Sequence, residues 1–485
     1  MCELDLPLKF AQKLYNEFAI RHPNAFYLRT RQRGMQNWDG KIHYITKTGQ
    51  FKIGLLPKVY DMCIEMGIKP KVVDMRQPLP KVSKVVTNIG KYKLRPEQEK
   101  AVKAVINNKI GNTPFHIGVL DYTVNAGKTL IMSSLYLSYK KQLKTLLITN
   151  DSDWLNQARE EFKQYLPGED ITFVQGKVLN WSNFTIGMVQ SISRNMRFYQ
   201  KELSQIDMVL IDEADQGGSK QYQNVITRLF NTRIRIGLSG TIYMSKLAKD
   251  RVKNMNLECF FGKVIAEFKL KDSIKKGYST KTVVKMVPGK PWYGNWESDC
   301  ISYKEIYDDS ITNCYTAWLM AYNRLLWNLN QGRYPALVVC KHIAHCENLY
   351  KFFKKKLGDA YNIAYVHVNT PSKLRQQIMK DFREGKIDIL VSTTIIARGK
   401  NFPKLKYLLN TASMDSQEKS IQFLGRLVRT DESKNKVYLD DLHYPGNYLD
   451  RHGKHRKQYY QRQELKVILL DKLWKKHPNH SLIKS

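Results

Sequence analysis

Two tandem α/β domains built on parallel sheets are the architecture this chain predicts, and three observations predict it. Short apolar runs alternate with helix-length segments through two successive stretches of the chain. One run leads through a loop ending in Gly127-Lys128-Thr129 into a helix pattern. Another is followed directly by an acidic pair, Asp212-Glu213. Strands that alternate with helices are buried on both faces, which requires a parallel sheet with helices on either side.

The elements follow in order. Residues 1–88 precede the alternation and read as a small α+β domain. Leu8 to Ile20 has a helical pattern, and Phe26 to Arg33 interleaves aromatics with Arg29, Arg31 and Arg33. The step Asp39-Gly40 before Ile42-His43-Tyr44-Ile45 predicts a hairpin that includes Trp38 and Lys41. Its cations could meet phosphates while its aromatics stack on bases; the plainer reading is a packed strand with a solvated basic face. A second helix is expected from Pro57 to Met66.

Residues 89–275 form the first α/β domain. Its expected strands are Ile117 to Leu120, Lys144 to Ile148, Thr185 to Val189, Met208 to Ile211 and Arg235 to Leu238. Residues 276–442 form the second, with strands at Ala336 to Cys340, Ile363 to Val368, Ile387 to Val391, Tyr407 to Leu409 and Lys436 to Leu439. The tail, 443–485, reads as helical and basic, with Arg451, Lys454, His455, Arg456, Lys457 and Arg462 around Tyr459 and Tyr460. It is either a solvated capping helix or a nucleic-acid contact.

Composition narrows the partners. The 485 residues include 79 Lys plus Arg against 44 Asp plus Glu, a net charge of +35, which points to a polyanion. Nucleic acid is the natural one, because cationic side chains displace the counterions condensed on its phosphates. No lipidation signal or spanning apolar stretch accompanies the charge, so a membrane is not expected. The seven scattered cysteines contain no CxxC pair and the start lacks a signal-peptide pattern, which leads us to expect the cytoplasm. Cys340, His342, His345 and Cys346 fit no common zinc-finger spacing, and Cys340 closes an apolar run.

The loop Tyr122 to Thr129 has the strand-loop-helix context of a phosphate-binding P-loop. Backbone amides around Asn125, Ala126 and Gly127 would cradle phosphates at a helix N-terminus. Lys128 would reach the β- and γ-phosphates, and Thr129 would offer its hydroxyl to Mg2+. Asp212 would complete the metal's ligands, and Glu213 would orient the attacking water. The substrate expected from this set is ATP. Upstream, Gln98 carries an amide able to read adenine. In the second domain Gln422, Arg426 and Arg429 lie at helical spacing, the arginines three apart on one face. They read as arginine fingers that neutralise charge in phosphoryl transfer.

In order, the chain also shows Gly187-Met188-Val189-Gln190-Ser191, Asp212-Glu213-Ala214-Asp215, Leu238-Ser239-Gly240-Thr241, Ser392-Thr393 to Gly399, and Gln422-x-x-Gly425-Arg426-x-x-Arg429. With the P-loop, this resembles the motif series of superfamily 2 helicases. Within that group it is most similar to the UvsW-type recombination and repair helicases of T-even phages, a likeness that includes Asn37-Trp38-Asp39-Gly40-Lys41-Ile42 and Lys341-His342. The resemblance implies two RecA-like domains behind a small DNA-binding domain. It also implies ATP-driven unwinding of branched DNA (forks, Holliday junctions, displacement or R-loops) in recombination, repair and replication. It makes Ser239 and Thr241 coupling residues, and places Gln190, Ser191, Ser392 and Thr393 along the nucleic-acid groove.

Three departures stand out. Tyr122 occupies the position of the P-loop's first glycine, Asn150 stands where the family often has proline, and Asn401 stands where many members carry aspartate. The Asp-Glu-Ala-Asp string does not imply the RNA-unwinding DEAD-box family, whose third motif differs. Two other functions compete: an RNA helicase, and a scaffold that binds nucleic acid without unwinding it. The scaffold fits poorly with a chain that keeps Lys128, Thr129, Asp212, Glu213, Gln422, Arg426 and Arg429.

Overall fold

The computed structural model describes every residue except 1, 6, 32–34, 177, 243–249, 290–301, 398–401 and 471–485. The chain divides into two compact units, Met1–Lys269 and Leu270–Ser485.

The first unit is organised by an eight-stranded sheet. Its order is Val178–Leu179, Ile171–Gln175, Phe184–Met188, Thr145–Thr149, Met208–Asp212, Ile234–Ser239, Ile117–Tyr122 and Val264–Phe268. Only the first of these pairs is antiparallel. The strands at 117–122, 145–149, 184–188, 208–212 and 234–239 are buried along their whole length, which is why each reads in sequence as a continuous apolar run. The strands at 171–175, 178–179 and 264–268 have no counterpart in the sequence reading. The first and last of these carry exposed or half-buried positions that break the run.

Residues 1–88 share the core of this unit. Leu14, Phe18, Ile45, Phe51, Leu55, Val59 and Cys63 lie in one apolar cluster with Val119, Ile211, Leu257 and Phe261. At Gly54 the backbone runs so close to the helix Arg251–Phe261 that a Cβ would sit 2.1 Å from the Glu258 carbonyl oxygen.

The predicted hairpin is corrected here. Ala25–Arg31 is a helix, and the short strand Lys41–His43 pairs instead with Ala19–Arg21. In the run Phe-Tyr-Leu-Arg-Thr-Arg, Leu and the arginines are good helix formers while Phe, Tyr and Thr favour strands, so local preference does not decide and the surrounding fold does. The Asp39-Gly40 turn does form. Gly40 takes φ +76°, and Asp39 Oδ1 accepts from the Lys41 amide at 2.9 Å. The Trp38 indole donates to the Lys41 carbonyl at 2.8 Å.

The second unit holds a seven-stranded, wholly parallel sheet. Its order is Ile363–Val366, Ile389–Thr393, Ala336–Cys340, Tyr407–Asn410, Lys436–His443, Lys281–Pro288 and Val467–Leu469. The strands at 281–288 and 467–469 were not expected. The first is flanked by charge, and the second lies inside the basic tail.

The helix Asn447–Arg462 is anchored rather than wholly solvated. Arg456 is fully buried and forms an ion pair with Asp441, itself fully buried, at 2.8 Å. Tyr460 donates to the same carboxylate at 2.7 Å, and His455 meets Asp415 at 2.9 Å. Of the tail groups named above, Arg456, Tyr459 and Tyr460 are therefore buried and His455 is half-buried. Among the described residues no helix is long and apolar enough to cross a membrane.

Candidate nucleotide and nucleic-acid site

In a parallel α/β sheet the strand C-termini and the helices that follow them form the natural ligand edge. The first sheet brings most of the expected residues to that edge. The strand Ile117–Tyr122 ends in the loop 123–127, and the helix Lys128–Ser138 starts directly after it. Asn125 and Gly127 both take left-handed backbone, at φ +62° and +69°. That geometry turns successive amides inward, the arrangement by which a loop cradles an anion.

The loop is braced from behind. Arg95 donates to the Asn125 carbonyl at 3.0 Å, and Gln98 Nε2 donates to the Ala126 carbonyl at 2.8 Å. Gln98 Oε1 accepts from the Arg95 amide at 2.8 Å, which caps the helix Pro96–Ile106. The expectation for Gln98 is thus corrected: its side chain is fully buried and both ends of its amide are engaged, so it supports the loop instead of facing a base. A Cβ at Gly127 would come within 2.3 Å of Gln98 Nε2, so the brace also demands glycine there. Tyr122, in place of the usual first glycine, is buried and donates to the Glu97 carbonyl at 2.7 Å. It belongs to the strand, not the turn.

Asp212 ends the strand Met208–Asp212, two strands away, and lies 4.0 Å from the Lys128 ammonium. Its Oδ1 is buried with no hydrogen-bond partner. Burial raises its pKa above the ordinary carboxylate value, and the nearby Lys128 opposes that rise. Glu213 follows with φ +53°, a strained backbone for a non-glycine residue. Ser239 donates to Asp215 at 2.8 Å and meets the Thr241 hydroxyl at 3.1 Å. The acidic loop and the Ser-Gly-Thr loop are therefore one hydrogen-bonded unit. Asp215 has no role in the sequence reading, although it stands in the quoted motif; its spacing of three from Asp212 is the signal. Arg95 was missed too, because an arginine before Pro-Glu-Gln resembles an ordinary helix start.

The groove residues divide. Gln190 is half-buried and reaches the Asn150 carbonyl at 3.3 Å, so it links two strand ends. The Ser191 hydroxyl is nearly buried and accepts from the Gly176 amide. Ser392 is fully buried and its hydroxyl donates to the Thr393 carbonyl at 2.9 Å; Thr393 is also buried. The hydroxyls of Ser191 and Ser392 are thus engaged with backbone of their own units. Gly399 and Asn401 lie outside the described residues.

Gln422 and Arg426 share a face of the helix Gln417–Leu427. Arg429 does not, because that helix ends at Leu427 and Val428 caps it. The expectation of two arginines on one helix face is corrected accordingly. Lys434 is buried and donates to the Leu405 and Leu427 carbonyls at 2.9 and 3.0 Å, closing that helix end.

In residues 1–88, Arg29, Arg31 and Lys41 are exposed and Trp38 is half-buried, while Arg33 lies outside the described residues. Arg21, Phe26, Arg29, Asp39 and Lys41 line an open cleft of about 520 Å³. Near the second sheet, His345 accepts or donates at Nδ1 with the Tyr307 hydroxyl at 2.9 Å. Among the described residues no group of three or more His, Cys, Asp or Glu is placed to hold a metal.

Residues 91–244 match the family described as Type III restriction enzyme, res subunit, and residues 319–431 match the helicase conserved C-terminal domain. Among curated relatives, helicase 22 of Sulfolobus islandicus filamentous virus is 22% identical over 73% of this chain. The ATP-dependent helicase IRC3 of Saccharomyces cerevisiae is 23% identical over 72% of it. The alignments span 64% and 51% of those two proteins. Among solved structures, the Type ISP restriction-modification enzyme LlaBIII bound to DNA matches 78% of this chain and 31% of its own, at 14% identity and TM-score 0.58. S. cerevisiae Dbp5 bound to RNA and ADP BeF3 matches 79% of this chain and 92% of its own, at 14% identity and TM-score 0.53. T4 UvsW covers 96% of both chains at 19% identity, with TM-score 0.43. The matched res-subunit and helicase C-terminal regions, the two sheets of mainly parallel strands and the motifs in their expected order make this chain a member of the superfamily 2 helicases.

Proposed function

We propose that this chain hydrolyses ATP to drive movement along, and separation of, branched DNA. The observation that carries the ATP reading is the approach of Lys128 to Asp212 beside a braced, left-handed P-loop. A buried carboxylate oxygen with no donor is costly unless something completes it, and a divalent cation does so. Thr129 and Asp212 would hold Mg2+, which supplies charge neutralisation on the phosphates.

The chain's own residues then have separate tasks. Amides of Asn125 to Gly127 bind the phosphates, and Lys128 draws charge from the β- and γ-positions. Glu213 holds the attacking water in line with the γ-phosphorus. Gln422, Arg426 and Arg429 are proposed to sense the nucleotide and offset charge as the γ-phosphoryl group leaves. The link Asp215–Ser239–Thr241 supports a coupling role for the third motif, because a shift in the acidic loop must move the Ser-Gly-Thr loop.

For the substrate, the fold alone does not choose: one neighbour holds DNA and another RNA. The preference for branched DNA rests on the motif likeness to UvsW-type helicases and on the basic cleft at Arg21, Arg29 and Lys41. An RNA helicase is the second reading, favoured by the short matches to RhlB proteins, such as 32% identity over 22% of the chain. The test is ATP turnover with no nucleic acid, single-stranded DNA, a fork, a Holliday junction and duplex RNA. Strongest stimulation by the fork or junction is expected; stimulation by RNA alone would overturn the DNA reading.

A further inference from the structure

The parallel strands Lys281–Pro288 and Lys436–His443 set Lys281 beside Lys436, Val283 beside Tyr438, and Lys285 beside Asp440. Paired positions share a sheet face. The helix Tyr315–Leu329 adds Arg324, Trp327 and Asn328. Asp440 is buried and already engaged by Arg324 at 2.5 and 2.9 Å, by Asn328 at 3.1 Å and by Tyr407 at 3.1 Å.

The remaining cations rest on aromatic rings. Arg333 lies 3.6 Å from the centroid of Tyr438 and 4.8 Å from that of Trp327, and Lys285 lies 4.8 Å from the latter. Lys436 sits 5.6 Å from the Tyr438 centroid. Among the described residues no carboxylate lies within 4 Å of Lys285, Arg333 or Lys436. Burial lowers the proton affinity of Lys285; the Asp440 carboxylate opposes this, and Arg324, Arg333 and Lys436 lower it further. Like charges are thus held together by ring faces, and the patch opens to solvent, with Trp327 43% exposed and Lys281 and Lys436 exposed at the strand starts. It lies at the start of the strands, whereas Cys340 and Thr393 lie at their ends.

We propose that this patch is a second nucleic-acid contact, gripping phosphates of a segment distinct from the one at the motif-bearing edge. It rests on the reading of the chain as a nucleic-acid motor. The patch joins fixed cations to aromatic surface, the combination that follows a sugar-phosphate backbone and its bases. An acidic peptide would satisfy the charge and leave the aromatic surface without a partner. The chain-wide excess of positive charge favours the same polyanion.

The experiment is fluorescence anisotropy of the full chain with labelled single-stranded and forked DNA across salt concentrations. Lys281→Glu/Lys436→Glu should weaken forked-DNA binding and lower the slope of log K against log salt by about 0.7–0.9 per lost phosphate contact. Trp327→Leu should weaken it as well, and Lys436→Arg should retain the wild-type slope. ATP turnover without nucleic acid should be unchanged, which also shows that the variants fold. If wild type binds DNA and the charge variants keep its slope, the patch proposal fails alone. If wild type binds neither DNA nor RNA, the function proposed above fails with it. If polyglutamate displaces nothing from the variants but competes at this face in wild type, while DNA binding is equal in both, the partner is an acidic protein and the proposal is overturned.

Discussion

A buried carboxylate oxygen without a donor is kept only where something else requires it. Asp212 keeps one, with Lys128 as its nearest cation. Replacing Lys128 with alanine should abolish ATP turnover while nucleic-acid binding at low salt persists; near-normal hydrolysis would sink the assignment. Arg426→Ala should slow turnover by roughly a thousandfold or more, the range for arginine fingers, and nucleotide binding measured by a fluorescent analogue should survive. Titrating histidines give a separate check in the second unit. Burial lowers His345 to about 3 and His452 to about 4. Both are neutral in the folded and unfolded states above the ordinary value near pH 6.5. Below it the unfolded chain takes up protons that the folded one refuses. Stability should therefore fall as pH drops from about 6.5 through 4 towards 3, by about 1.4 kcal/mol per pH unit for each histidine. Urea unfolding at stepped pH measures this, and a flat profile over that window would contradict the burial of both rings. At this scale the phosphate loop and acidic pair were legible because their spacing is their chemistry. The Gln98 brace and the hydroxyl partners of Ser191 and Ser392 were not, because a side chain's partner is set by distant backbone.

Elements depend on partners that the local sequence does not name. The helix carrying Gln422 and Arg426 ends where Lys434 supplies its ammonium to the Leu427 carbonyl. Lys434 is pushed down to about 8 by burial, yet its donors hold two carbonyls that water does not reach. Lys434→Met should strand both carbonyls and cost about 1–3 kcal/mol for each, seen as a lower urea midpoint of the second unit. No loss of stability would mean that the carbonyls find other donors. Arg456→Ala in the helix Asn447–Arg462 should cost about 3–5 kcal/mol, because it leaves Asp441 charged and buried. Ten strands were readable as apolar runs, since burial on both faces leaves that trace. The strand Lys281–Pro288 begins with lysine and keeps half-buried positions, so its periodicity was masked. The helix Ala25–Arg31 was read as part of a hairpin because the Asp39-Gly40 signal was real while its partner strand lay elsewhere.

For the whole molecule, the question is which parts can be separated. Each unit has its own sheet and core, and among the described residues Leu14, Phe18, Ile45, Phe51, Leu55, Val59 and Cys63 belong to the first sheet's cluster. Deleting residues 1–88 should therefore expose the apolar faces of Val119, Leu257 and Phe261 and yield an aggregating ATPase domain. Charge reversal at Arg29 and Lys41 is the cleaner probe of the basic cleft, and should weaken DNA binding without changing unstimulated turnover. A soluble truncated protein with a cooperative thermal transition would show that the shared core is dispensable. That core also sets an order of events during synthesis. Cys63 leaves the ribosome nearly two hundred residues ahead of Phe261, so at ordinary elongation rates the early segment waits about 10–40 seconds for its packing surface. Through that interval the turn at Gly54 and Leu55 lacks the helix Arg251–Phe261 that packs on it, and a nascent chain halted before residue 251 should be the form that chaperones hold and proteases cut.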